Sequence, residues 1–271
     1  MTVKKNVWRL IEDIPRSGSF NMAADEILLE NCEYKSIPVF RMYEWECPTI
    51  SIGRNEVLDE MINLEVCHNL GIPVIRRTTG GQSVLHGFDM SYSYVGGFIN
   101  SSYTGSVLEN YRYISKGFYR FFEKLGLNPS YYEMEKIKNG IDNHVCFAIP
   151  SKYEILVEGR KIIGNAQKVL KIKSTSTSSS RVFLQHGSIP IEDKVSLISK
   201  IFPHLNAKKL SLKMHSLESI GVFPKSTINN IKKLFIKSIK EAFCLEWEHK
   251  TWSNEELELI YNSEKKFQKI K

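Results

Sequence analysis

The chain is poor in cysteine, has no long apolar run and carries no block of positive charge. Its 271 residues include five cysteines, an odd number, at positions 32, 47, 67, 146 and 244. No two of them have the C-x-x-C spacing of a zinc or thioredoxin-like site, and the count argues against a secreted disulfide framework, so free thiols are expected. No stretch approaches the roughly 20 apolar residues of a membrane helix, and no membrane partner is expected. Met1-Thr2-Val3-Lys4-Lys5-Asn6 carries charge with no apolar segment behind it. It does not read as a signal peptide, and a cytoplasmic location follows by default. The net charge is +7. With no Lys/Arg block, zinc finger or RNA-binding aromatic signature, that balance favours an acidic protein partner over nucleic acid.

What is present is ordinary globular composition, with 42% hydrophobic and 25% charged residues. The length allows one large domain, or a medium domain with an appendage. Strands are predicted at 6–12, 37–43, 49–52, 73–75, 82–85 and 90–95, and helices at 20–32, capped by Ser19, and at 60–70. From 107 to 125, Tyr111, Ile114, Phe118, Phe121 and Leu125 recur at helical spacing and form a core stripe. A β-rich region follows, with strands at 144–147, 153–157, 160–169 and 182–189. From about 193 the pattern turns helical. Ser226 or Thr227 caps a helix at 228–243, and Ser253 with Glu256 forms a capping box for a last helix. The division expected is 1–192 for a catalytic domain and 193–271 for a helical C-terminal subdomain. The tract Ser174-Thr175-Ser176-Thr177-Ser178-Ser179-Ser180 reads as a loose hairpin loop, with a basic flap over the site as the alternative.

Four segments carry residue types suited to chemistry. In Arg76-Arg77-Thr78-Thr79-Gly80-Gly81-Gln82-Ser83-Val84-Leu85-His86, the paired glycines let backbone N–H groups approach a ligand, and the arginines can clamp a carboxylate or phosphate. In Cys146-Phe147-Ala148-Ile149-Pro150-Ser151-Lys152-Tyr153-Glu154, the thiol stands at a strand end before a turn, where a substrate can reach it. His144 shares its face but reads as structural or solvent-facing. In Glu158-Gly159-Arg160-Lys161-Ile162-Ile163-Gly164-Asn165-Ala166-Gln167, Lys161 taken alone reads as a solvated hairpin lysine. In Leu184-Gln185-His186-Gly187-Ser188-Ile189, Gly187 permits close backbone approach to a ligand and His186 can orient a neighbour.

Taken in order, and with Asn21-Met22-Ala23-Ala24-Asp25-Glu26 and Trp45-x-x-Pro48-Thr49-Ile50-Ser51-Ile52-Gly53 added, these segments resemble the biotin/lipoate protein ligase superfamily. They are most similar to its Gram-positive-type octanoyltransferases, over about residues 6–190. The resemblance implies an α/β (α+β) fold, a mixed β-sheet flanked by helices. It implies octanoyl transfer from octanoyl-acyl carrier protein to a lysine of glycine cleavage H protein or another lipoyl domain, with no cofactor and no metal. It places the nucleophile at Cys146 and the motif lysine at Lys161. Substrate-binding positions are implied at Arg76, Arg77, Thr79, Gly80, Gly81, His86, Gly164, Gln167, His186 and Gly187. Three features depart from the family pattern: His86 is followed by Gly87 rather than Asp, Asn165 stands where Ser is usual, and the Ser/Thr tract is long. Alternatives within the fold are an ATP-dependent lipoate ligase and an amidotransferase between lipoyl domains. A catalytically silent lipoyl-domain binder is the alternative from another class.

Overall fold

Alternation of apolar and polar side chains through Val7-Trp8-Arg9-Leu10 buries Trp8 and Leu10 and starts the first strand. The computed structural model describes residues 6–33, 36–57, 61–97, 106–132, 153–172, 180–222 and 228–268. Their elements run β1 (Asn6–Glu12), α1 (Gly18–Glu30), β2 (Val39–Tyr43), β3 (Thr49–Ile52), α2 (Leu64–Asn69), β4 (Val74–Arg76), β5 (Val84–His86), β6 (Asp89–Gly97) and α3 (Val107–Lys124). They continue with β7 (Pro129–Tyr131), β8 (Ile155–Val157), β9 (Arg160–Lys161), β10 (Gly164–Ile172), β11 (Ser180–Pro190), α4 (Val195–Ile201), α5 (Ala207–Ser211), α6 (Ile228–Phe243), β12 (Leu245–His249) and α7 (Asn254–Ser263), and close with a 3-10 turn, Glu264–Phe267.

Six strands form a mixed sheet in the order β10-β11-β6-β2-β1-β12. β2, β1 and β12 run parallel, and β2-β6, β6-β11 and β11-β10 are antiparallel. This is the mixed-sheet α/β architecture expected from the resemblance. α3 lays Tyr111, Ile114, Phe118 and Phe121 into the main core, as its periodicity requires, and α6 packs beside it through Ile231, Phe235 and Ile239. α1 buries Phe20, Met22, Ala23 and Ala24 in a second cluster with Ile260 and Phe267. Two three-stranded sheets, β4-β3-β5 and β7-β8-β9, lie beside the large one.

Several local expectations shift. Ser17, not Ser19, caps α1 by accepting from the Phe20 amide, so the helix begins earlier than predicted. α2 starts at Leu64 behind an Asn63 cap, leaving Met61 outside it. The strand expected at 160–169 is two strands: β9 belongs to a small sheet and β10 to the large one, with buried Ile162 and Ile163 at the step between them. The C-terminal region is not purely helical. β12 pairs with β1 at the sheet edge, and Ile231, Phe235, Ile239 and Leu245 share a core with Trp8 and Phe40. The capping box of Ser253 and Glu256 is present. The strand expected at 144–147, the caps at 226–227 and the Ser/Thr residues 174–179 lie outside the described residues.

Candidate active site

The step from β9 to β10 puts Lys161 and Gly164-Asn165-Ala166 against one cleft that is open to solvent. Ser51, Arg77, Gly81, His86, His186 and Gly187 also line it. The cleft thus gathers residues from all described segments that the sequence singled out.

Lys161 is only 7% exposed, unlike the solvated lysine its strand position alone suggested. The segment after α5 covers it: the Lys161 amide donates to the Lys213 carbonyl, and its own carbonyl accepts from His215 N–H. Its Nζ lies 2.9 Å from Oε2 of Glu154, itself buried. Period-2 alternation tells which face a side chain takes, but not whether another segment closes over that face.

Two histidines are held by carboxylates. His86 Nε2 lies 2.8 Å from Ser51 Oγ, its Nδ1 lies 3.0 Å from Asp89 Oδ2, and its ring stacks on Trp45 at 4.1 Å. Burial pushes the Asp89 carboxyl up, but the His86 charge and hydrogen bonds from His86, Ser188 and Ser91 outweigh it and leave the group below its ordinary value. At Gly87 the chain turns, the Gly87 amide donates to Asp89 Oδ1, and the carboxylate three residues after His86 reaches the imidazole. His186 is set the same way, with Nδ1 2.8 Å from Asp25 Oδ2 and Nε2 2.7 Å from Thr79 Oγ1. Burial holds its imidazole below its ordinary value despite the hydrogen bond and charge of Asp25, which favour the proton. Asp25 and Asn21, one helical turn apart on α1, meet the wholly buried Arg41 guanidinium, which also binds Asp13.

The two arginines serve the backbone. Arg77 donates to the carbonyls of Ser51, Gly80 and Gln82 and so shapes the glycine turn at the cleft wall. Arg76 does not line the cleft; its Nη1 donates to the carbonyls of Gly53, Arg54 and Glu56. Gly53 and Gly81 touch so closely that a Cβ on Gly53 would stand 1.7 Å from the Gly81 oxygen. Thr79 is fully buried behind His186, and Gln167 sits behind the cleft, bonded to Asn110 and Gln185. At Gly187 the close approach is that of the neighbouring strand, since a Cβ there would lie 2.4 Å from the Gly164 oxygen and 2.5 Å from Asn165 Oδ1.

Cys146 and His144 lie outside the described residues. The other four cysteines are free and none lines the cleft. Burial, aided by Glu33, pushes the Cys32 thiol up to about 11, and burial raises Cys67 as well, so both stay protonated. Among the described residues no group of three His, Cys, Asp or Glu side chains could hold a metal ion, and no helix is long and apolar enough to cross a membrane. Glu154, Asp25, Asp89 and Asn165 had no role assigned from sequence. Asp25, Glu154 and Asn165 stood within quoted motifs, but only the fold shows which side chain each one meets.

The lipoyl protein ligase A/B catalytic-domain model matches residues 17–246. The chain is 38% identical over 207 residues to the octanoyltransferase LipM of Carboxydothermus hydrogenoformans, covering 76% of this chain and 72% of that one. It is 32% identical to the octanoyltransferase LipM of Bacillus subtilis, covering 96% and 95%. Among solved structures, lipoate-protein ligase A bound with ATP aligns with a TM-score of 0.75 at 19% identity, over 96% of this chain and 94% of that one, a likeness of fold. A bipartite lipoate protein ligase of Thermoplasma acidophilum aligns with a TM-score of 0.74 at 17% identity, over 96% and 92%. With the family model spanning most of the chain and such relatives along nearly its full length, this protein belongs to the lipoyl protein ligase A/B catalytic-domain family.

Proposed function

We propose that the protein is an octanoyltransferase of lipoate biosynthesis, moving octanoate from acyl carrier protein to a lysine of glycine cleavage H protein or another lipoyl domain. The observation that carries this reading is the 32–38% identity to octanoyltransferases over most of the chain. The cleft that unites Lys161, the Gly81 turn and His186 supports it. Cys146 is the proposed nucleophile. Its thiolate attacks the carrier thioester carbon, the carbonyl pair moves to oxygen, and collapse expels the carrier thiolate. The target amine then attacks the new thioester, loses a proton and leaves an octanoyl amide and the free Cys146 thiol. Thioester exchange is nearly isoenergetic, so no ATP is consumed. Lys161, held by Glu154, polarises the carbonyl oxygen or passes the proton. The net charge of +7 suits an acidic carrier, and a cytoplasmic location belongs to the same proposal.

The test is incubation with octanoyl-acyl carrier protein in the absence of ATP, followed by intact mass measurement. An octanoyl adduct removed by hydroxylamine is expected, absent in Cys146→Ala. Labelling that persists in Cys146→Ala sinks the nucleophile assignment, and transfer that requires ATP points to ligase chemistry instead.

A further inference from the structure

Asn165, Gly187 and Tyr92 form one row across β10, β11 and β6, since Asn165 pairs with Gly187 and Gly187 with Tyr92. The middle position has no side chain, so Tyr92 reaches across it and its hydroxyl donates to Asn165 Oδ1 at 2.5 Å. A Cβ on Gly187 would stand 2.5 Å from that oxygen and 2.8 Å from Tyr92 Cε1. Behind this contact runs a relay of amides. Asn110 Nδ2 donates to Gln167 Oε1, Gln167 Nε2 to Gln185 Oε1, and Gln185 Nε2 to the Tyr92 oxygen. Burial pushes the Tyr92 phenol well above its ordinary value despite the Gln185 bond, so it keeps the proton that it passes on.

In this direction each link donates to the next and the last amide is turned by its neighbours. Asn165 accepts through Oδ1, and its Nδ2 is left buried without a hydrogen-bond partner among the described residues, in a residue that lines the same cleft as Lys161. A buried donor without an acceptor carries its full desolvation cost, and an acceptor brought by a ligand removes that cost. The Asn165 main chain is fixed as well, because its carbonyl accepts from the Tyr111 hydroxyl.

We propose that Asn165 Nδ2 donates to the carbonyl oxygen of the octanoyl group and stabilises the negative charge that forms there during transfer. The inference rests on the octanoyl-transfer reading. When a nucleophile bonds to the carbonyl carbon, the π pair moves onto oxygen, facing Asn165. On collapse the pair returns, and the departing group leaves with its own bonding pair. A donor fixed in advance by a relay needs no reorganisation at that moment. Tyr92 is a positioning residue that acts through Asn165.

The test compares wild type with Asn165→Ala, Asn165→Asp and Tyr92→Phe, using octanoyl-acyl carrier protein as donor and a lipoyl domain as acceptor. Thermal unfolding of each variant is followed in parallel. Asn165→Ala is expected to lower kcat by about 100- to 1,000-fold, the usual effect of losing one oxyanion donor, with KM little changed. Asn165→Asp puts a like charge at the forming oxyanion and should lose at least as much. Tyr92→Phe should lose less, because the amide survives but is no longer held. Folded Asn165→Ala with kcat within a few-fold of wild type overturns the proposal. So does Asn165→Asp with wild-type kcat, which means that the relay runs the other way and offers an acceptor. If a variant fails to fold, the remaining two decide. Wild type that transfers no octanoate refutes the function reading instead.

Discussion

Lys161 and Glu154 face each other with only 8% and 2% of their side chains exposed. Removing one member of such a pair leaves a buried charge without its partner, at about 3–5 kcal/mol. Glu154→Leu should therefore destabilise the protein by a few kcal/mol, and Glu154→Leu with Lys161→Met by clearly less. A double-mutant cycle on unfolding free energies checks this, and additive losses would mean that the pair is not coupled. At this scale the sequence was informative about identity and poor about surroundings. It named Lys161, His86 and His186 as residue types able to act. Glu154 lies seven positions before Lys161 and meets it through the β8-β9 hairpin. Asp25 meets His186 from a distant helix, and no local pattern announces such contacts.

Among the elements, the glycine turn gives a contrast within a few residues. A Cβ on Gly53 would enter the Gly81 carbonyl, whereas one on Gly80 meets nothing within 4 Å. Gly53→Ala is expected to distort the turn that Arg77 shapes, with loss of both stability and transfer activity. Gly80→Ala should shift unfolding by about 1 kcal/mol or less, as at an unstrained open site. If Gly80→Ala nevertheless abolishes transfer while folding normally, a ligand approaches that backbone. The long helices were legible because α3 and α6 repeat apolar residues every three to four positions over many turns. The break between β9 and β10 was not. Arg160 to Val169 alternates plausibly as one strand, and the step at Ile162-Ile163 exists because two sheets compete for the same segment. β12 was missed for a related reason: Leu245-Glu246-Trp247-Glu248-His249 is short and exposed along much of its length, and its partner β1 is over 230 residues away.

The whole molecule should lose stability in acid in two windows. Burial lowers His186 from an ordinary 6.5, with Arg77 and His86 adding and Asp25 opposing. His215 is lowered from the same value, by burial and then by Arg160. Both bind a proton more readily unfolded than folded, so stability is level above about pH 6.5 and falls as pH drops below it. Asp89, lowered from 3.8, adds a second loss below that value. Chemical unfolding between about pH 8 and pH 5 should show this decline, with a shallower slope in His186→Gln. Stability that rises on acidification would contradict it. Truncation after Phe243 should also fail, since it strips the edge strand β12 from β1 and removes Ile260 and Phe267 from the cluster around α1. Circular dichroism and aggregation of the shortened chain test that expectation.

By itself the sequence determined the family and the α/β class, because ordered motifs and helical periodicity survive as linear patterns. It also determined which side chains have chemistry to offer. Tertiary structure alone decided that Lys161 is buried against Glu154, that Asp89 holds His86, and that Tyr92 bonds Asn165 across Gly187. These are meetings of residues brought together by sheet register and burial. Their energies arise from desolvation and hydrogen-bond geometry in the folded core, which a one-dimensional pattern does not encode.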